Sequence, residues 1–387
     1  MARTINVALI GTKFMGKAHS NAFRQVARFF DVPVEPVMKV IVGSDPKGTE
    51  HAAKKFGWEE WSTDWREVVR RKDIEIIDIC SPGYLHAPMA IEAAKHGKHI
   101  ICEKPLANTL KEAEAMLTAV EKAGVKHMCG FTYRFNPAIQ TIKRMIERGE
   151  LGEIFHFRAA YQQDWIVDPA FPLNWRLQKK TAGSGALGDI GAHIIDLCHY
   201  LVGELAEVTS TMQTFIKQRP LATGEATIAA KTGHKKVGQM GEVDVDDAAV
   251  FLGRFKSGNT LATFEATRFA PGRRNYNSIE IYGSKGSVLW NQEEMHEFFY
   301  YNTADKPYAQ GFRRVLATDP AHPYISAWWP SAHNIGYEHL FVHEVYEFLR
   351  QLNAKAVTYP TFEDGVRCQR VLHAVEKAAK SRKWEKV

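Results

Sequence analysis

Asp189 and His193 stand four residues apart in a segment of helical periodicity, Leu187–Leu201, so an α-helix would present both on one face. An imidazole oriented by a carboxylate suits proton transfer near neutral pH. The pair could also ligate a metal, with Asp196 near the same face, but His199 points away and no further ligand completes a site, so no metal is expected. A second group is Glu103-Lys104-Pro105, directly after the apolar run His99–Cys102. There Lys104 offers a cation to a developing oxyanion, Glu103 an acceptor for hydroxyls, and Pro105 a stiff turn. A third set mixes rings with planar polar groups: Tyr133, Tyr161, Gln163, Trp165, Trp175, Arg176, His322 and Tyr337. Rings stack on the C–H faces of a sugar, and amide, guanidinium and imidazole groups meet its hydroxyls. Arg134 and Arg273-Arg274 could meet an anionic one.

The elements that must position these groups fall into two halves. Over the first 130 residues short apolar runs (Ile5–Ile10, Val37–Val42, Ile74–Cys80, His99–Cys102, His127–Phe131) alternate with helical stretches such as Met89–Lys95 and Leu110–Ala123. Continuous Val/Ile-rich strands between helices predict an α/β, doubly wound parallel sheet of the Rossmann type. After it, period-two strands (Ile154–Tyr161, Ala249–Phe255, Thr260–Thr267, Ser278–Tyr282) predict a large, mostly antiparallel open sheet in an α+β domain. Helices are expected at Pro137–Arg148, Leu187–Leu201, Tyr337–Leu352 and Phe362–Ala379, and a surface loop at Pro220–Gly241. The expected domains are 1–130, binding a dinucleotide, and 131–387, binding substrate.

The first strand runs into Gly11-Thr12-Lys13-Phe14-Met15-Gly16, which opens a helix. Backbone N–H groups at such a turn bind pyrophosphate, and glycines allow the close approach. Lys13 replaces the middle glycine of G-x-G-x-x-G; it either crowds the pyrophosphate or pairs with it. At the end of the second strand, Gly43 stands where a carboxylate for the adenosine ribose belongs. Ser44 and Asp45 follow, with Lys47 nearby, so NAD is expected and NADP stays open.

Ser81-Pro82-Gly83-Tyr84-Leu85-His86, then Gly97-Lys98-His99 leading to Glu103-Lys104-Pro105, and finally Gly185-x-x-x-Asp189-x-x-x-His193 together resemble the signature of the Gfo/Idh/MocA oxidoreductases. Departures are Lys13, Gly43 and Gly83 in place of the usual Asn. The resemblance implies an NAD(P)-dependent dehydrogenase. It implies a cofactor lined by Gly11–Gly16, Ser44, Asp45, Ser81, Pro82, His86, Glu103 and Lys104, and a cis Lys104–Pro105 bond. Catalysis would rest on Lys104, Asp189 and His193, with either Lys104 or His193 as base. A cyclic polyol, anhydrosugar or glycoside would be oxidised, at C3, among Tyr133, Gln163, Trp165, Trp175, Arg176, His322 and Tyr337. Two other readings are an NAD-dependent glycosidase using transient oxidation and a non-catalytic nucleotide sensor. Homodimers or homotetramers are implied by the family's habit of packing sheets between subunits.

Composition narrows the classes. In 387 residues, 45% hydrophobic and 24% charged, no apolar run is long enough to cross a membrane, so no membrane partner is expected. The N-terminus does not read as a signal peptide. Five scattered cysteines form no disulfide framework and point to a cytoplasmic protein. A net charge of +6 spread over short clusters such as Arg70-Arg71-Lys72 predicts no nucleic-acid partner.

Overall fold

The computed structural model describes residues 3–222 and 235–387. In chain order the elements are β1 (Arg3–Ile10), α1 (Phe14–Phe29), β2 (Val34–Val42), α2 (Pro46–Phe56), β3 (Glu60–Ser62), α3 (Trp65–Arg70), β4 (Ile76–Ile79), α4 (His86–Lys95), β5 (His99–Glu103), α5 (Leu110–Ala123), β6 (His127–Gly130) and α6 (Pro137–Glu147). There follow β7 (Ile154–Gln162), α7 (Lys179–Ala182), α8 (Ala192–Leu201), β8 (Leu205–Gln213), β9 (Gln218–Ala222), β10 (Lys235–Glu242), β11 (Ala248–Phe255), β12 (Leu261–Thr267), β13 (Tyr276–Gly283) and β14 (Gly286–Asn291). The chain closes with β15 (Glu297–Asn302), β16 (Arg313–Leu316), α9 (Tyr337–Arg350), α10 (Phe362–Ser381) and β17 (Glu385–Lys386). Two compact units form: Met1–Asn136 with Asp319–Val366, and Pro137–Thr318 with Arg367–Val387.

In the first unit the described strands form one parallel sheet in the order β3-β2-β1-β4-β5-β6. The order reverses between β1 and β4, and their carboxyl ends frame the crevice where such sheets bind nucleotides. Segment 319–366, placed by the sequence reading with the second domain, belongs here. Its helix α9 is amphipathic, and Phe341, Val342, Val345 and Phe348 join Val7, Leu9, Phe23 and Val26 in one core. The aromatics of this segment serve that core. Trp328 lies 4.4 Å from Phe29, Tyr346 stacks on Phe30 at 4.4 Å, and Trp328 Nε1 donates to His343 Nε2 at 2.7 Å.

The second unit carries a sheet ordered β16-β15-β14-β13-β7-β12-β11-β8-β17 among the described residues. Only the β7–β12 pair is parallel; the other neighbours are antiparallel. Alternation on β11 buries Ala249, Phe251 and Phe255 and exposes Val250, Leu252 and Arg254, the half-covered pattern the sequence predicts. The expected loop at Pro220–Gly241 is corrected at its flanks, where β9 and β10 pair antiparallel; its middle, 223–234, lies outside the described residues. The expected helix Leu187–Leu201 is corrected too. Leu187–Gly191 is a π-turn and the α-helix proper starts at Ala192.

Candidate active site

At the dinucleotide loop, the geometry forces glycine. Gly11 has φ +129°, and a Cβ there would sit 2.6 Å from the Cys80 carbonyl oxygen. A Cβ on Gly16 would lie 2.0 Å from the Gly11 carbonyl oxygen. Helix α1 starts at Phe14 after Lys13, with no side-chain cap and no acidic residue in its first turn, so Phe14, Met15 and Gly16 leave their N–H groups for an anion. Lys13 and Phe14 are exposed at this mouth, and Thr12 lies beside Gly43. The missing carboxylate at 43 has a steric cause: a Cβ there would sit 2.3 Å from Thr49 Oγ1 and 2.9 Å from Thr12 Cγ2. Asp45 is the N-cap of α2; its Oδ2 accepts from Gly48 N at 2.7 Å. Its Oδ1 makes no hydrogen bond among the described residues, and Ser44 beside it is exposed. The Gly11–Gly16 cradle therefore fits a pyrophosphate.

Behind the strand ends lies a buried charge cluster. His19, on the second turn of α1, places Nδ1 2.8 Å from Asp78 Oδ2 and Nε2 3.0 Å from Glu103 Oε1. Burial opposes a charge on His19, but Asp78 and Cys80 together outweigh it and hold the imidazole well above its ordinary pKa. Glu103 Oε2 accepts from the Lys104 backbone N at 3.1 Å, and Lys104 itself is half-buried. The Lys104–Pro105 bond is cis, as the resemblance implied. His86 has a structural part here. It is buried, with Nε2 2.8 Å from the Ser81 carbonyl and Nδ1 3.1 Å from the Pro105 carbonyl, so it struts the Ser81-Pro82 turn against the Pro105 turn. Tyr133 and Tyr337 pair at 6.2 Å, and burial, with Tyr133 and Glu103 alongside, pushes the Tyr337 phenol well up. His322 lies in this unit too, its backbone N bonded to Asp319 O at 2.8 Å.

Glu344 of α9 is buried and faces the same cluster. Burial pushes its pKa up to about 8; His19 opposes this, and Glu103 and Asp78 add to it. The unfolded chain ionises this group near the ordinary 4.5, so the folded state holds a proton the unfolded state has released. Stability therefore falls as pH rises from about 4.5 to about 8 and this contribution is flat above. Glu344→Gln is expected to remove that slope, a difference on the order of a few kcal/mol, read from urea midpoints at pH 5 and pH 8.5. Parallel slopes in both proteins would refute it.

In the second unit the motif residues sit on the π-turn and α8. Asp246, from the segment before β11, fastens the start of this turn: its carboxylate accepts from Gly185 N and Leu187 N, each at 2.7 Å. Gly185 has no room for a side chain, since a Cβ would lie 1.7 Å from the Asp246 carbonyl oxygen. Asp189 keeps its side chain about a quarter exposed (27%), and His193, mostly buried, lies 5.8 Å from the Tyr161 ring. Arg176 stacks on Trp175 at 4.3 Å; burial lowers its pKa and Asp189 opposes that. Gln163 is committed at both ends of its amide, accepting from Trp165 Nε1 at 2.9 Å and donating to Asn275 Oδ1 at 3.0 Å. The structure thus gathers Arg176, Asp189 and Trp165 around a residue not picked from the sequence, Arg268. Asp189, His193 and Asp196 do not converge into a metal-ligand cluster among the described residues.

Residues 5–131 match the family model described as "Oxidoreductase family, NAD-binding Rossmann fold", and residues 139–289 match the "GFO/IDH/MocA C-terminal domain". The chain belongs to the Gfo/Idh/MocA oxidoreductase family. Within it, levoglucosan dehydrogenase of Pseudarthrobacter phenanthrenivorans is 43% identical over 384 residues, 99% of this chain and 98% of that one. A solved levoglucosan dehydrogenase in complex with NADH and levoglucosan is 42% identical, covers 100% of both chains and superposes with a TM-score of 0.93. An oxidoreductase domain protein from Kribbella flavida is 47% identical over 99% of both chains, also at a TM-score of 0.93. This Gfo/Idh/MocA chain is therefore an NAD-dependent oxidoreductase acting on CH–OH groups, and Gly11–Gly16 supplies the cradle such a cofactor needs. Among its described residues no helix is long and apolar enough to cross a membrane.

Proposed function

We propose that this protein oxidises the C3 hydroxyl of an anhydrosugar such as levoglucosan to the ketone. The observation that carries the proposal is the full-length similarity to the dehydrogenase solved with NADH and levoglucosan. NAD, when bound, supplies the hydride acceptor. The chain manages the proton: His193 takes it from the reacting hydroxyl, Asp189 orients that imidazole, and Lys104 stabilises the developing alkoxide. The rings of Trp165 and Trp175 support a sugar face, and Arg176 supports donors to its hydroxyls. The protein works as a homodimer or homotetramer, a reading supported by the exposed Val250, Leu252 and Leu261 on the open face of the large sheet.

Absorbance at 340 nm with NAD or NADP, against anhydrosugars, glycosides and inositols, tests this directly. Expected is stoichiometric NADH with levoglucosan, a 3-keto product by NMR, and a multiple of the 43.7 kDa chain mass by light scattering. Aglycone release from an aryl glycoside without net NADH would replace it by the glycosidase reading. Cofactor binding without turnover on any sugar would replace it by the sensor reading.

A further inference from the structure

Arg268, one residue beyond β12, is fully buried, an expensive place for a guanidinium. Its Nη2 donates to the Asp246 carbonyl at 3.1 Å, and the same carbonyl accepts from Ala186 N at 3.0 Å. Its Nε and Nη1 have no hydrogen-bond partner among the described residues. Nη1 lies 3.7 Å from Asp189 Oδ2, beyond hydrogen-bond reach but within an ion pair, and the guanidinium sits 5.5 Å from the centre of the Trp165 ring. One cation thus meets the strap that holds Gly185, the carboxylate of the motif, and the indole offered to the sugar. Arg176 is the second cation near Asp189, while the Asp246 carboxyl lies near Arg268.

We propose that Arg268 is a positioning residue for the sugar oxidation, acting from behind by fixing the Asp189 carboxylate and the Trp165 ring. It does not touch substrate, because none of its surface is accessible. Its planar fork suits the task better than a lysine would: one edge engages the Asp246 carbonyl while another faces Asp189. The inference rests on the proposed sugar dehydrogenase reading.

The test compares wild type, Arg268→Lys and Arg268→Met in the full-length protein. Melting temperature, NAD binding, sugar-induced change in tryptophan emission, kcat and KM are measured. Expected for Arg268→Met is a kcat lower by about 10–100-fold, the range for groups that orient a catalytic side chain from behind. NAD affinity is expected unchanged, because the residue lies in the second unit, and Arg268→Lys should recover part of the kcat. If Arg268→Met does not fold, Arg268→Lys alone must show reduced kcat with unchanged NAD affinity. A folded Arg268→Met with wild-type kcat overturns the inference while leaving the dehydrogenase reading intact. So does a Lys variant no better than Met whose loss merely follows its melting temperature. A wild type that makes no NADH on any sugar overturns the reading, and this inference with it.

Discussion

Lys104→Ala is expected to lower kcat by about 10²–10³-fold, the size of effect measured when one donor to a developing oxyanion is removed. NAD affinity is expected to fall much less than kcat, because the Gly11–Gly16 cradle and the Glu103 carboxylate stay in place. The separation follows from which atoms do what. This strand end is held through Glu103, whose Oε2 accepts from the Lys104 backbone N and whose Oε1 meets His19. Alanine keeps that backbone N–H, so the chain Asp78–His19–Glu103 stays closed. Only the ammonium leaves. Steady-state rates at 340 nm together with equilibrium NAD titration read the two quantities separately. A Lys104→Ala protein with kcat within about tenfold of wild type would remove Lys104 from the chemistry, since that falls short of one oxyanion donor.

Much of the first unit was legible because its signals are local. The apolar runs gave β1, β2, β4, β5 and β6, and Gly11 and Gly16 gave the turn between β1 and α1. Glu103-Lys104-Pro105 and Asp189 with His193 were likewise readable as short spacings. What escaped depends on partners distant in sequence. The amphipathic pattern of α9 shows that one face is buried but not that the face covers α1, so 319–366 was assigned to the wrong side of the chain. The segment that carries His322 and Tyr337 was read only for its sugar-facing groups, yet its Trp328 and Tyr346 pack on Phe29 and Phe30. Gly43 read as a lost carboxylate until Thr49 and Thr12 were seen to fill its side-chain space. Asp45 and His86 also have structural parts that spacing does not show: one caps α2 and the other struts two turns. The π-turn was invisible because Asp246, which fastens its start, is nearly sixty residues downstream. Arg268 escaped for the same reason. Charged residues after a strand are normally solvated, and only the fold shows this one buried against Asp189.

His193→Asn is the sharper test of who takes the proton. Asparagine retains a planar polar group in the mostly buried space beside Tyr161, so the packing at 5.8 Å changes little. Tyr161 stays anchored through its hydroxyl, which donates to Asn275 Oδ1 at 2.6 Å. What disappears is a group able to accept a proton and release it. Turnover is expected to fall by about 10²–10⁴-fold, the range for loss of a positioned general base. The pH profile carries the sign. A base must be neutral to act, so wild-type kcat/KM falls on the acid side as the base is protonated. In the variant that limb should vanish, and residual turnover should rise with pH as hydroxide substitutes for the missing group. Breaking proton removal also makes C–H cleavage harder to hide behind product release, so a sugar deuterated at the reacting carbon should show a larger isotope effect on kcat than in wild type. The Lys104→Ala/His193→Asn double variant completes the argument. If both residues serve one oxygen, the second substitution costs much less than it does alone. Near-normal turnover in His193→Asn, with Lys104→Ala abolishing both hydride transfer and proton release, would pass the role of base to Lys104.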